Sequence, residues 1–256
     1  MAAPKRSWRS AQRGGDALSL RLYVAAALQR DAEIELPAAA ARHLQVRRLQ
    51  PGDGLRLFDG RGGEWAATVR RMGRSEVVVR VGEFDAVERE PARRVGIALG
   101  MPANERMDFL VEKATELGVH RIVPLQCERS VLRLAGERAQ RKLAHWQGIA
   151  IAAAEQCGRT RVPQLAPVQT LAAFLAQPPD GAQRLLLSPQ PGAAALHAVA
   201  GGTQPLLTLS GPEGGLTPAE EAAALAGGFV RARLGERVLR ADTAPLAVLA
   251  WAALAG

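Results

Sequence analysis

The sequence predicts an α/β protein: a parallel sheet with helices on both faces, preceded by a small β-barrel domain. Three observations carry that prediction. Beyond residue 95, apolar runs of strand length alternate with longer segments of helical period, as in strand–helix–strand units. Before residue 90, short strand candidates are separated by Gly and Asp turns such as Pro51-Gly52-Asp53-Gly54, the pattern of a compact barrel. Between the two regions, DAVEREPARR (residues 85–94) is polar and holds a proline, where a domain boundary is expected.

The chain opens on MAAPKRSWRSAQRGG, basic but without the apolar core of a secretory signal. Residues 1–18 are expected to be a disordered basic tail, with domains at 19–90 and 91–256. In the first domain, strands are expected at 21–24, 33–36, 55–58, 65–70 and 76–81. A helix is expected over 37–49, with Pro37 at its start and bases near its end. In the second, strands fall at 95–99, 121–124, 184–187, 206–209 and 229–234. Helices fall at 105–117, 137–157, 171–176 and 242–254. The first of these shows an apolar face at Phe109, Leu110, Ala114 and Leu117. The last is apolar on nearly every side, with Leu246, Val248, Leu249, Trp251 and Leu254. It is expected to be buried by its own core or by a second subunit.

Composition narrows the class. At 256 residues and 48% hydrophobic, the chain can bury a substantial core. No apolar run is long enough to cross a membrane. Two cysteines and four scattered histidines form no metal-ligand spacing, and so few cysteines suit a reducing cytoplasm. The net charge of +8 favours a polyanionic partner, although an arginine-rich proteome would give the same excess.

The most informative stretch is LLTLSGPEGGLTPAEEAAALAGGFVRARLGERVLRADT, residues 206–243. A short apolar run ends in Gly211-Pro212-Glu213-Gly214-Gly215, which cannot continue a strand. Thr217-Pro218 followed by Glu220 and Glu221 is a helix start: cap, first-turn proline and early acids. A second strand ends at Gly235 and a second loop. Two strands that each exit into a glycine loop suit a ligand held by backbone groups beyond the strand ends. No Gly-Lys-Ser/Thr follows GPEGG, so it is not a phosphate-binding P-loop. G-x-G-x-x-G and G-x-S-x-G are also absent, which removes the dinucleotide and acyl-hydrolase fingerprints.

LSGPEGGLTPAE and LGERVLRADTA resemble the two C-terminal signature motifs of the SPOUT methyltransferases. With RMDFLVEKATELGVHRIVPLQCERSV, HWQGIAIAAAEQCGRTRVPQL and LLLSP in the same order, the resemblance narrows to the bacterial 16S ribosomal RNA (uracil-N3)-methyltransferase family. It implies a PUA-like RNA-binding β-barrel at 19–90 and a C-terminal domain whose parallel sheet holds a trefoil knot. It also implies S-adenosyl-L-methionine as cofactor, a homodimer through the C-terminal domain, and 16S rRNA of the small ribosomal subunit as partner. The target it implies is N3 of uridine 1498. Two departures from the family pattern stand out. Arg240-Ala241-Asp242-Thr243-Ala244 replaces the usual Arg-Thr-Glu-Thr-Ala, and His145-Trp146 replaces Arg-Trp.

By match to the motifs, the backbone of Leu187, Leu209, Gly211, Gly214, Leu234, Val238 and Leu239 is expected to surround the cofactor, with Pro212, Gly235, Arg240 and Thr243 in the same site. Uracil N3 must lose a proton before it can accept a methyl group, and the resulting charge spreads onto O2 and O4, where a fixed guanidinium stabilises it. Arg240 is the candidate for that role, and Glu213 or Asp242 could accept the proton or hold an arginine. RNA contacts are expected from Arg21, His43, Arg47 and Arg48 in the first domain. Arg129, Ser130, Gln156 and Arg159 are expected to contact RNA in the second. The bland alternative for Arg47 and Arg48 is a solvated helix end. Three competing readings remain: a SPOUT enzyme acting on a ribose 2′-hydroxyl or another base, a non-catalytic rRNA-binding assembly protein, and a metabolic α/β enzyme.

Overall fold

The computed structural model describes residues 20–74, 76–177 and 181–254; the tail expected at 1–18 lies outside them. The chain divides into two units after Val87. In the first, β1 (Arg21–Tyr23) and β2 (Glu33–Glu35) precede helix α1 (Ala38–Val46), followed by β3 (Gly54–Phe58), β4 (Glu64–Met72) and β5 (Val77–Asp85). They form one sheet in the order β1-β3-β4-β5-β2. Only the β1–β3 pair is parallel. Leu55 and Leu57 on β3 alternate inward, as do Val77, Val79 and Val81 on β5, and they pack with Leu22, Leu36 and Leu44 into one core.

α1 is shorter than expected. It stops at Val46, and Arg48 adopts a left-handed backbone, φ 58°, which a non-glycine residue takes only at a turn. β5 runs to Asp85, beyond the expected end at 81.

The second unit begins with β6 (Val95–Gly100), α2 (Asn104–Glu116), β7 (Arg121–Gln126) and α3 (Gly136–Cys157). There follow β8 (Gln164–Leu165), β9 (Gln169–Thr170), α4 (Leu171–Ala176), β10 (Gln183–Leu187), β11 (Ala194–Ala195) and α5 (Leu196–Val199). β12 (Leu206–Ser210), α6 (Pro218–Ala226), β13 (Val230–Arg233) and α7 (Thr243–Leu254) complete it. The sheet order is β11-β13-β10-β12-β6-β7-β8, with β9 also on β7, and every pair is parallel.

Side-chain alternation divides the core between the two faces of this sheet. Val95, Ile97 and Leu99 pack with residues of α2, α3 and α7. Ala98, Leu207 and Leu209 pack with residues of α4 and α6. Both faces are therefore covered, as a parallel sheet requires. The two-residue strands and the four-residue α5 were not expected, because segments so short carry no readable period.

α2 corrects one expectation. Its buried apolar residues are Met107, Leu110, Val111 and Ala114, while Phe109 is 49% exposed. The spacing i, i+3, i+4, i+7 starts at Met107, which turns Phe109 out of the core. Trp146 of α3 is fully buried, and its Nε1 donates to Asp108 Oδ1 at 3.0 Å. His145, at the position where the family usually has arginine, places Nε2 2.8 Å from the other oxygen of Asp108. On α7, Pro245, Val248, Leu249 and Ala252 are buried, but Leu254 is 88% exposed. The chain's own core therefore covers only part of this helix.

Leu110→Ala should lower unfolding free energy by about 2–5 kcal/mol in a urea titration. Phe109→Ala should stay within about 0.5 kcal/mol of wild type, as an exposed position does.

Candidate active site

All the strands of the second sheet point the same way, so the loops after them gather along one edge. Those after β10, β12 and β13 bound a cavity of about 520 Å³, within the ordinary size of a small-molecule site. Leu187, Pro189 and Gln190 enter it from the first loop, Ser210 to Leu216 from the second, and Val238 to Ala241 from the third. Arg106 from the first turn of α2, Arg129 from the loop after β7, Glu221 of α6 and Ala244 of α7 complete the wall.

Glycine makes the central loop possible. A Cβ on Gly100, at the end of β6, would lie 2.4 Å from Pro212 Cδ and 2.5 Å from its nitrogen. A Cβ on Gly211 would lie 2.7 Å from Leu216 N. The loop turns back on itself, Gly215 N donating to Pro212 O at 2.8 Å. Its exit is fixed by a capping box: Thr217 Oγ1 accepts from Glu220 N at 3.2 Å, and Glu220 Oε2 accepts from Thr217 N at 2.9 Å. The other oxygen of Glu220 accepts from Glu128 N at 2.7 Å, tying α6 to the loop after β7.

The charged residues divide by what they hold. Glu213 lines the cavity, and its Oε1 accepts from Ala103 N at 2.9 Å. That carboxylate caps α2, whose own N-cap residue, an alanine, has no side-chain acceptor. Arg129 Nη1 donates to Gly214 O at 3.1 Å, bracing the glycine loop. Glu221 is taken up by Arg231 at 2.9 Å and by the Ser188 hydroxyl. Arg240 is exposed and lines the cavity. Asp242 is only 8% exposed. Its Oδ2 lies 3.3 Å from Arg106 Nη1, and its Oδ1 has no hydrogen-bond partner among the described residues.

Among the expected cofactor residues, Leu187, Gly211, Pro212, Gly214, Val238, Leu239 and Arg240 come together in this cavity. The Leu209 side chain is fully buried in the core and that of Leu234 packs against the core on the other face, so each could face the cavity only through its backbone. Gly235 supplies a turn at φ 106°, and Thr243 is exposed at the start of α7. Sequence reasoning missed Arg106, Ser210 and Glu221 on the wall. Arg106 had one signal: a cation in the first turn of a helix opposes the helix dipole.

S-adenosylmethionine fits this lining. Leu187, Val238 and Leu239 offer apolar surface, the glycine loop offers backbone groups, and the buried Ser210 hydroxyl is without a partner among the described residues. An unpartnered buried hydroxyl on a cavity wall is the kind of group a ligand satisfies.

The expected RNA contacts fare unevenly. Ser130 is buried, its Oγ accepting from Cys127 N at 2.9 Å in a turn. Arg159 is 4% exposed. Its guanidinium is engaged by both oxygens of Glu90 and by the carbonyls of Thr115 and Val119, at the C-terminal end of α2. A buried guanidinium with all three nitrogens occupied is a helix-end anchor rather than an RNA contact. Gln156 lies in a groove with Lys113 and Glu116. Arg21 pairs with Glu64 at 3.0 Å and stacks on Phe58, so it braces the first sheet. His43 is half-buried, and Arg47 and Arg48 are exposed at the end of α1.

The match to known proteins follows this geometry. Residues 88–253 match the family model described as RNA methyltransferase domain, and residues 36–82 match the RNA methyltransferase PUA domain. The chain belongs to the RNA methyltransferase family. Its relatives in that family include the ribosomal RNA small subunit methyltransferase E of Bacillus subtilis, 32% identical over 80% of this chain and 83% of the relative. That of Synechocystis is 34% identical over 91% and 77%. The same enzyme from Neisseria gonorrhoeae, solved bound to S-adenosyl methionine, superposes with a TM-score of 0.85 at 32% identity, covering 91% of this chain and 96% of that one. A Legionella pneumophila methyltransferase in complex with the same cofactor gives 0.88 at 31%, covering 94% and 99%.

Two predictions follow from the anchoring groups. Arg159→Ala should lower stability by about 3–5 kcal/mol, because it strands the Glu90 carboxylate, yet leave the salt dependence of RNA binding unchanged in filter assays. Burial pushes the Cys127 thiol up to about 12, helped by the Glu220 charge. In the native protein at pH 8, Cys127 should therefore resist a thiol reagent that labels it on unfolding.

Proposed function

We propose that this chain transfers the methyl group of S-adenosylmethionine to N3 of a uridine in 16S rRNA of the small ribosomal subunit. The observation that carries the reading is the cavity, where glycine-loop backbone, an unpartnered hydroxyl and two guanidiniums meet at the carboxyl ends of the strands. The position implied by the family resemblance is uridine 1498. The same reading includes a trefoil knot at the glycine loops, a cytoplasmic location, and a homodimer. The part-covered apolar surface of α7 supports the dimer.

The cofactor supplies an electrophilic methyl group on a positively charged sulfur. The residues of this chain do the rest. Backbone groups of 211–216 and the side chains of Leu187 and Leu239 hold the reacting groups in line, which supplies much of the rate. The uracil N3–H bond breaks as its proton passes to an acceptor, and the freed electron pair forms the bond to the methyl carbon. The carbon–sulfur pair returns to sulfur, so a neutral base and a neutral thioether result.

Glu213 is the proton acceptor we assign; its position on the cavity wall supports this, whereas Asp242 is buried and paired with Arg106. Arg240 faces the oxygens that carry the anionic charge. In the first unit, His43, Arg47 and Arg48 at the end of α1 are the groups we assign to phosphate contact.

The test is transfer of labelled methyl from S-adenosylmethionine to small subunits that lack their native base methylation, followed by nucleoside analysis. The label should appear as 3-methyluridine, and Arg240→Ala should slow transfer by about 10²–10³-fold. Label on a ribose or on another base would overturn the substrate assignment.

A further inference from the structure

We propose that Arg106 is a second substrate-contacting guanidinium, which with Arg240 reads the two carbonyl oxygens flanking N3 and so selects uracil over cytosine. The proposal rests on the N3-methylation reading and deepens it.

Placement is the first argument. Arg106 and Arg240 reach one cavity from separate elements, α2 and the loop before α7. The third arginine on the wall, Arg129, donates to the carbonyls of Gly214 and Leu216 and is committed to the glycine loop.

The second argument is that local structure does not ask for a cation here. The first turn of α2 is a site where the helix dipole disfavours positive charge. One N–H at this helix end, that of Ala103, is taken up by the Glu213 carboxylate, the sign of charge the dipole favours there. What holds Arg106 is Asp242, its one recorded partner among the described residues. Asp242 is buried, and its Oδ1 has no hydrogen-bond partner among the described residues. A buried carboxylate that uses only one oxygen is costly to keep. Its service is to neutralise and orient Arg106, leaving the remaining guanidinium N–H groups to the cavity. The side chain of Arg106 is 38% exposed.

The third argument is chemical. The Watson–Crick edge of uracil presents acceptor, donor and acceptor at O2, N3 and O4. When N3 loses its proton, the charge is shared by the two oxygens. Two guanidiniums reaching the cavity from separate elements match two oxygens, and each hydrogen bond strengthens as charge develops. Cytosine carries an amino group at C4, which would set donor against donor. A site built to hydrogen-bond a particular group discriminates strongly against an analogue that lacks it.

The experiment uses reconstituted small subunits carrying uridine, 4-thiouridine or 2-thiouridine at the target position. Single-turnover transfer is measured with wild type, Arg106→Ala and Arg106→Lys. On natural subunits Arg106→Ala should lose about 10²-fold in rate, and lysine should restore part of it, because charge returns without the fork. S-adenosylmethionine affinity should stay within about twofold of wild type, since no role in cofactor binding is assigned to Arg106.

The deciding readout is the thio penalty. In wild type, one sulfur substitution should slow transfer, and in both Arg106 variants that penalty should shrink. Equal penalties in wild type and both variants would overturn the proposal, whatever the loss of rate. If Arg106→Ala fails to fold, the lysine variant alone decides. Wild type that forms no 3-methyluridine on natural subunits would instead overturn the underlying N3 reading, and the proposal with it.

Discussion

The site depends on one close approach of two backbones, where Gly100 at the end of β6 meets Pro212 of the glycine loop. A methyl group on Gly100 would fall within 2.5 Å of two atoms of that proline, closer than any packing arrangement tolerates. The contact sets where the loop leaves β12 and therefore where its backbone groups face. Because β12 and β6 are paired in register from Leu206↔Val95 to Ser210↔Leu99, the sheet delivers both ends of the contact to the same place. Everything that lines the cavity is referenced to it.

Around this contact the loop is held by charges that serve as caps. Glu213 closes the N-terminal end of α2, while Glu220 closes α6 and at the same time holds the loop after β7. At the opposite end of α2, Arg159 binds the Thr115 carbonyl of the last turn and the Val119 carbonyl just beyond the helix, with Glu90 as its counter-ion. α2 is thus fixed at both ends, which places Arg106 on the cavity wall with little freedom. Rigid mounting of this kind is what electrostatic stabilisation of a developing charge requires.

Much of this was legible in the sequence. GPEGG followed by Thr217-Pro218 and Glu220 reads as strand exit, glycine loop and capped helix, and each piece forms from local backbone preference and hydrogen bonding. The apolar runs at 95–99 and 206–209 mark central strands because both of their faces are buried. What stayed illegible was long-range pairing. Nothing near Arg159 reveals that Glu90 will meet it, and so a buried anchor read as an RNA contact. Asp242 read as either a proton acceptor or a holder of an arginine, and nothing near it in the sequence singles out Arg106, distant along the chain, as that arginine. Phe109 misled for a simpler reason: a helix of this length can be phased one residue off when its first buried residue, Met107, is overlooked.

The measurement that tests the account most directly is calorimetric titration of S-adenosylmethionine into wild type and Gly100→Ala, with folding of both checked by circular dichroism. Wild type should bind, and the folded variant should bind at least about tenfold more weakly, because the added methyl displaces the loop that forms the cavity. Equal affinity in the two proteins would contradict the claim that this backbone contact builds the site.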